Sequence, residues 1–121
     1  MDTLERQDQE AERQRDAAAG FRETTVADVI IDYKSMDDDT RIIVTGYYST
    51  VGQVGMISGE EYSLSSIAVM PDRLSRETRK ALLDCVNCKV TVWAHHGCTF
   101  TVLNQKTGAP CFVADRLKMG S

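Results

Sequence analysis

The stretch Arg41–Ser49, RIIVTGYYS, decides how the rest of the chain is read. Apolar, β-branched residues alternate around Ile43 and Val44, and Gly46 sits inside the run ahead of Tyr47 and Tyr48. Such composition favours a strand. A glycine within a strand marks a bulge or a sharp bend, because a position without Cβ lets another part of the chain come close. The expectation is a long first strand that turns a corner at Gly46.

Downstream, the strand signals repeat. Val51–Ser58, VGQVGMIS, reads as the hairpin partner of the first strand, and Glu60 and Glu61 make the next turn. Ser63–Pro71, SLSSIAVMP, is a third strand, ended by a proline that cannot donate to a ladder. Then the period changes. Ser75–Cys85, SRETRKALLDC, is a helix with Ser75 as N-cap and Glu77 in the first turn, where the helix dipole favours a carboxylate. Leu74, Leu82 and Leu83 form its apolar stripe, and Arg76, Arg79 and Lys80, with Arg73, read as a solvated face. Cys88–Ala94 and Cys98–Leu103 are strand material around His95, His96 and Gly97; after the Asn104–Gly108 loop, Cys111–Leu117 is the last strand.

Upstream, Thr25–Met36 places Val26, Val29, Ile30 and Tyr33 at helical spacing behind a Thr24 or Thr25 cap, so a short helix or extended lead-in is expected. Residues 1–24 are rich in Glu, Gln, Arg, Asp and Ala and carry only Leu4 and Phe21 as sizeable apolar groups. This reads as a charged flexible or helical tail, stopped at Gly20. The division is therefore a tail over 1–24, a barrel over 25–117 and a frayed end over 118–121.

Three strands, a helix, then two more strands is the order of a five-stranded Greek-key barrel, the OB-fold, with the helix between strands three and four plugging one open end. The runs around Val44–Tyr47, Arg76–Leu83 and Val113–Asp115 resemble small OB-fold domains of uncharacterised bacterial proteins over about residues 28–117. The resemblance implies a mainly β fold and a binding role, with no shared catalytic residues to carry over. OB-folds bind across strands two and three, rimmed by the first hairpin loop and the loop before the last strand. Here that surface takes in Tyr47, Tyr48, Gln53, Met56, Tyr62 and Lys106, and Trp93 joins the tyrosines as a stacking ring. One of the adjacent Tyr47 and Tyr48 is expected to point inward.

The chain has 121 residues, 42% of them hydrophobic, and a net charge of −4. That suits one domain and lacks the basic footprint of a dedicated nucleic-acid binder. No run approaches the ~20 apolar residues of a membrane span, and the charged N-terminus has no signal-peptide core. The expected setting is cytoplasmic, or periplasmic or secreted if a leader has been removed. The four cysteines leave several readings. Cys85 and Cys88 have the spacing of half a zinc site, completed by His96 and Cys98, but neighbouring His95 and His96 face opposite ways on a strand. A redox pair wants a helix N-terminus, and Cys85 stands at a C-terminal end. A Cys85–Cys88 staple, or a Cys98–Cys111 pair across neighbouring strands, needs only proximity. There is no phosphate loop and no nucleophile elbow. The expectation is a non-enzymatic binding module without cofactor, favouring a protein partner. Single-stranded nucleic acid is the alternative, and a zinc-stabilised domain a weaker one.

Overall fold

The computed structural model describes residues 3–51, 54–60, 65–98, 101–102, 105–106 and 110–120. The long strand Arg41–Val51 serves two partners. From Arg41 opposite His95 to Tyr48 opposite Cys88 it runs antiparallel to Cys88–His96. From Tyr47 onward it also runs antiparallel to Val54–Ser58. The exchange needs Gly46: a Cβ there would collide with the Ser58 carbonyl oxygen and lie 2.7 Å from Cγ2 of Ile57. The pairing with Cys88–His96 runs through Gly46 without a register shift, so no bulge lies here; the glycine is required by this close approach.

Along the chain the elements are α1 (Thr3–Ala18), β1 (Phe21–Thr24), α2 (Val26–Asp32), a 3₁₀ turn at Tyr33–Ser35, β2 (Arg41–Val51), β3 (Val54–Ser58), β4 (Ser66–Met70), α3 (Arg76–Leu82), β5 (Cys88–His96), β6 (Thr101–Val102), β7 (Gln105–Lys106) and β8 (Cys111–Met119). The sheet order β2-β3-β4-β8-β5 closes on itself through the β2–β5 pairing, with β4 and β8 parallel. This is a mainly β, OB-fold-like Greek-key barrel of five strands, with α3 between its third and fourth strands.

Alternation sends one side chain in two to the core. Ile42, Val44 and Tyr48 enter from β2, Ile57 from β3, Ile67 and Val69 from β4, Val90, Val92 and Ala94 from β5, and Phe112 and Ala114 from β8. Both ends of the barrel are plugged. At one, α2 contributes Val26 and Val29, and Thr25 caps it by accepting from the Asp28 amide at 3.1 Å. At the other, Leu74 and Leu82 descend from α3, whose Ser75 cap accepts from the Thr78 amide at 3.2 Å.

Two regions differ from the sequence division. Phe21–Thr24, assigned to the tail, is β1 and lies parallel to β2, from Phe21 opposite Arg41 to Thr24 opposite Val44. With one large apolar residue in four, FRET gives no strand signal; its partner supplies the order. At the other terminus β8 continues to Met119, and the Gly120 amide donates to the Lys89 carbonyl at 2.8 Å. Leu83, read as part of the apolar stripe, is 69% exposed. Helical rotation turns it away from Leu82, to the outside of the barrel.

Candidate functional site

Of the residues nominated by the sequence, Tyr47 and Tyr48 point to opposite faces of β2. Tyr47 is half-buried on the outside, and Tyr48 is the inward member. Its ring fills the space over Gly55, where any Cβ would overlap it. Burial raises the Tyr48 pKa from its ordinary 10.0, against a smaller lowering by a hydrogen bond with Thr50. Trp93 is outward on β5 yet only 7% exposed, because α1 and Arg116 cover it. Lys106 lies on β7, its backbone paired with Thr101. Gln53 and Tyr62 lie outside the described residues. Among the described residues the nominated rings are thus not gathered on one face: a core ring, a covered ring and one outward tyrosine stand apart.

The structure gathers a different group. Beneath α3, where β2 ends, β3 begins and β4 has just finished, a cleft of ≈ 610 Å³ opens. Its floor is largely apolar, with Tyr48, Val54, Pro71 and Leu82, and Leu83 stands exposed at its edge. Its rim carries Arg76, Arg79 and Lys80 against a single carboxylate, Asp72. Val86, 76% exposed, stands three residues beyond Leu83. Arg76, Arg79 and Lys80, read with Arg73 as a solvated helix face, are exposed and also form the cationic edge of this groove; Arg73 is not part of its lining. The one sequence signal for it was Leu83 beside Leu82: a helix that buries one of two adjacent leucines shows the other to its surroundings.

Backbone contacts fix this end of the molecule. The Thr50 hydroxyl donates to the Leu82 carbonyl at 2.7 Å, satisfying an acceptor that the helix end leaves open. The Asn87 amide donates to the Ser49 hydroxyl at 3.0 Å, and Asn87 takes φ +54°, a conformation asparagine tolerates. Cys85 and Cys88 form a disulfide across this turn, and Cys98 and Cys111 form a second one beside the last strand. The zinc alternative thereby loses Cys85, Cys88 and Cys98 as ligands, since a cystine sulfur is no thiolate.

The histidines are spent in two ways. His96 enters the barrel mouth against Tyr33 and Phe112, at 5.0 and 5.7 Å between ring centres. Its Nδ1 lies 3.1 Å from the Asp37 carbonyl oxygen and its Nε2 3.1 Å from the Tyr33 hydroxyl. His95 faces outward, with Nδ1 2.7 Å from Oδ2 of Asp115, whose Oδ1 is 3.5 Å from Arg73. The opposed facing expected of neighbouring strand residues holds. The Asp115 contact was not legible, because it depends on a bulge: β8 shifts register between Trp93 opposite Arg116 and Ala94 opposite Ala114, leaving Asp115 as the extra residue.

No protein-family model matches the chain, and no curated protein matches it in sequence. Its shape has relatives among solved structures. The hypothetical protein YgiW from E. coli aligns with a TM-score of 0.46 and 13% identity, covering 82% of this chain and 90% of that one. An OBody, AM3L09, solved bound to hen egg-white lysozyme, aligns with a TM-score of 0.45 and 13% identity, covering 66% of this chain and 80% of that one. Among the described residues, no helix is long and apolar enough to cross a membrane. All four cysteines are paired, which is the chemistry of an oxidising compartment rather than of the cytoplasm expected first.

Proposed function

We propose that this protein is a non-enzymatic binding module, exported to the periplasm or beyond, that seats an acidic, partly apolar segment of a partner protein in the α3 cleft. The observation that carries the reading is the cleft's composition: an apolar floor with Leu83 exposed beside it, edged by Arg76, Arg79 and Lys80. Apolar burial supplies affinity, and the cations select carboxylates and steer their approach. The site lies at the end of the strand two–three surface nominated from the sequence and shares Tyr48 with it. A binding role is further supported by how the reactive groups are used. The cysteines are in disulfides and both ring nitrogens of His96 are engaged. A protein partner is favoured over single-stranded nucleic acid because Tyr48 is core and Trp93 is covered, which leaves Tyr47 as the outward ring among the described members of the nominated set.

Short random peptides selected on the oxidised protein test this. Enriched sequences are expected to combine carboxylates with one or two large apolar residues. They should bind the R79E/L83D variant at least about tenfold more weakly, a loss of ~1.4 kcal/mol. Both substitutions are at exposed positions, so the fold is kept. Equal binding to the variant would overturn the assignment of the cleft.

A further inference from the structure

α1 has no apolar stripe to bury. Of its residues with a described side chain, only Glu12 and Asp16 are even half-buried; the others are exposed. A helix polar all round needs some other reason to lie where it does. Here the reason is two carboxylates four residues apart on one face. Asp16 Oδ2 accepts from the Trp93 indole nitrogen at 2.9 Å, and Glu12 pairs with Arg116. The Arg116 guanidinium in turn lies 3.7 Å from the centre of the Trp93 ring. At the helix's C-terminal end, Arg41 donates to the Ala19 carbonyl at 2.7 Å.

The contact is not sealed. A cleft of ≈ 500 Å³ remains between helix and sheet, with Thr45, Thr91, Trp93 and Lys118 on the barrel side. α1 touches the barrel through side-chain tips, and exposed ion pairs of this kind hold a helix only weakly. The barrel face, by contrast, is built. Trp93 and Arg116 are stacked on rigid strands, and Lys118 adds a second cation on β8.

We propose that the outer face of β5 and β8 around Trp93, Arg116 and Lys118 is a docking site for a helix bearing carboxylates at i and i+4, that α1 is its tethered resident, and that an acidic helix of a partner protein takes its place. Charge complementarity names the occupant: an indole N–H and a guanidinium at this spacing are what Glu12 and Asp16 satisfy from one side of a helix. Tethering gives α1 an effective concentration in the millimolar range, so an outside helix competes only when α1 is loosened.

The test uses the full-length oxidised protein and a labelled peptide with the sequence of residues 3–18. The peptide is stapled on the face opposite Glu12 and Asp16, so that it is helical in isolation. Trp93 is the only tryptophan in the chain, so acrylamide quenching of its fluorescence reports whether α1 is in place. In E12Q/D16N, quenching is expected to rise at least twofold. The peptide should bind that variant at least tenfold more tightly than the wild type, and the added W93F or R116Q change should remove the gain. Unchanged quenching, equal peptide binding to both proteins, or no binding to the loosened variant would each overturn the proposal. So would a single-stranded oligonucleotide that binds the loosened variant where the peptide does not.

Discussion

α1 and α3 lean on the same barrel and are held in different ways. α1 spans 16 residues and is attached through the tips of Glu12, Asp16 and the Ala19 carbonyl. α3 spans 7 residues and is attached through Leu82 in the core, a capped N-terminus, and a C-terminus held by Thr50 and closed by the Cys85–Cys88 disulfide. Anchoring therefore follows burial and closure, not helix length. A helix this short does not persist alone, so α3 exists because tertiary contacts hold it. α1 is long enough to be helical by propensity, with Ala17 and Ala18 assisting, while almost nothing buries it. One is part of the fold, the other a passenger on it.

The widest gap between them should appear on removing their main contacts. Leu82→Ala leaves a hole under α3 and is expected to cost ~3 kcal/mol, within the ~2–5 of such truncations. Glu12→Ala should cost below ~1 kcal/mol. Urea unfolding of the two variants measures both. If they were equal, the contrast drawn from burial would be wrong.

Removing the staple comes next. Cys85 and Cys88 close a short loop, for which chain entropy gives ~2 kcal/mol; Cys98 and Cys111 enclose a longer one, worth ~3. C85S/C88S should accordingly lower stability by ~2 kcal/mol. It should also weaken peptide binding in the α3 cleft, since the turn that positions Leu83 is freed, and leave Trp93 quenching unchanged. A change in quenching would mean that the two faces are coupled.

Much of α3 was legible in the sequence, and little of α1 was. Ser75 before Arg76–Leu82 is a local signal, read from neighbours within one turn, and so are Thr25 before α2 and Gly46 within β2. The strand order followed from them, which is why the barrel could be drawn. What failed depends on partners far along the chain. The indole that seats α1 is 77 positions from Asp16. β1 is a strand only because β2 lies beside it. Asp115 meets His95 through a bulge that no alternation pattern shows. The α3 cleft was not legible for a related reason: the nominated surface was carried over from the architecture, whereas this cleft depends on Leu83 turning outward beside a buried Leu82.

A smaller effect should mark the floor of the α3 cleft. Burial holds the Tyr48 phenol protonated above its ordinary pKa of 10.0. Below pH ~10 the phenol is neutral in both folded and unfolded chains and contributes no pH dependence. As pH rises from there towards the raised folded value, the unfolded chain releases its proton first, so stability falls. Y48F should remove this alkaline loss and cost ~1 kcal/mol at neutral pH for the missing Thr50 hydrogen bond. Denaturant midpoints measured across alkaline pH would show it. A Y48F curve that falls as steeply as the wild type would place the titration elsewhere.

The smallest expected change in stability belongs to the double variant E12Q/D16N. If α1 is a passenger, neutralising Glu12 and Asp16 should shift the unfolding free energy by no more than ~0.5 kcal/mol, because the barrel core never depended on it. Salt should mimic the substitution. Raising ionic strength from ~0.01 M to 1 M shortens the screening length from ~30 to ~3 Å, which should weaken the Glu12–Arg116 pair while leaving apolar burial in place. The wild type should then show the Trp93 quenching of the variant with an almost unchanged unfolding midpoint. A large stability loss in E12Q/D16N would mean that α1 and Trp93 belong to the cooperative core. The distinction between a built helix and a resident one would then have to be abandoned, and with it the reason to expect an acidic helix to compete for the Trp93 face.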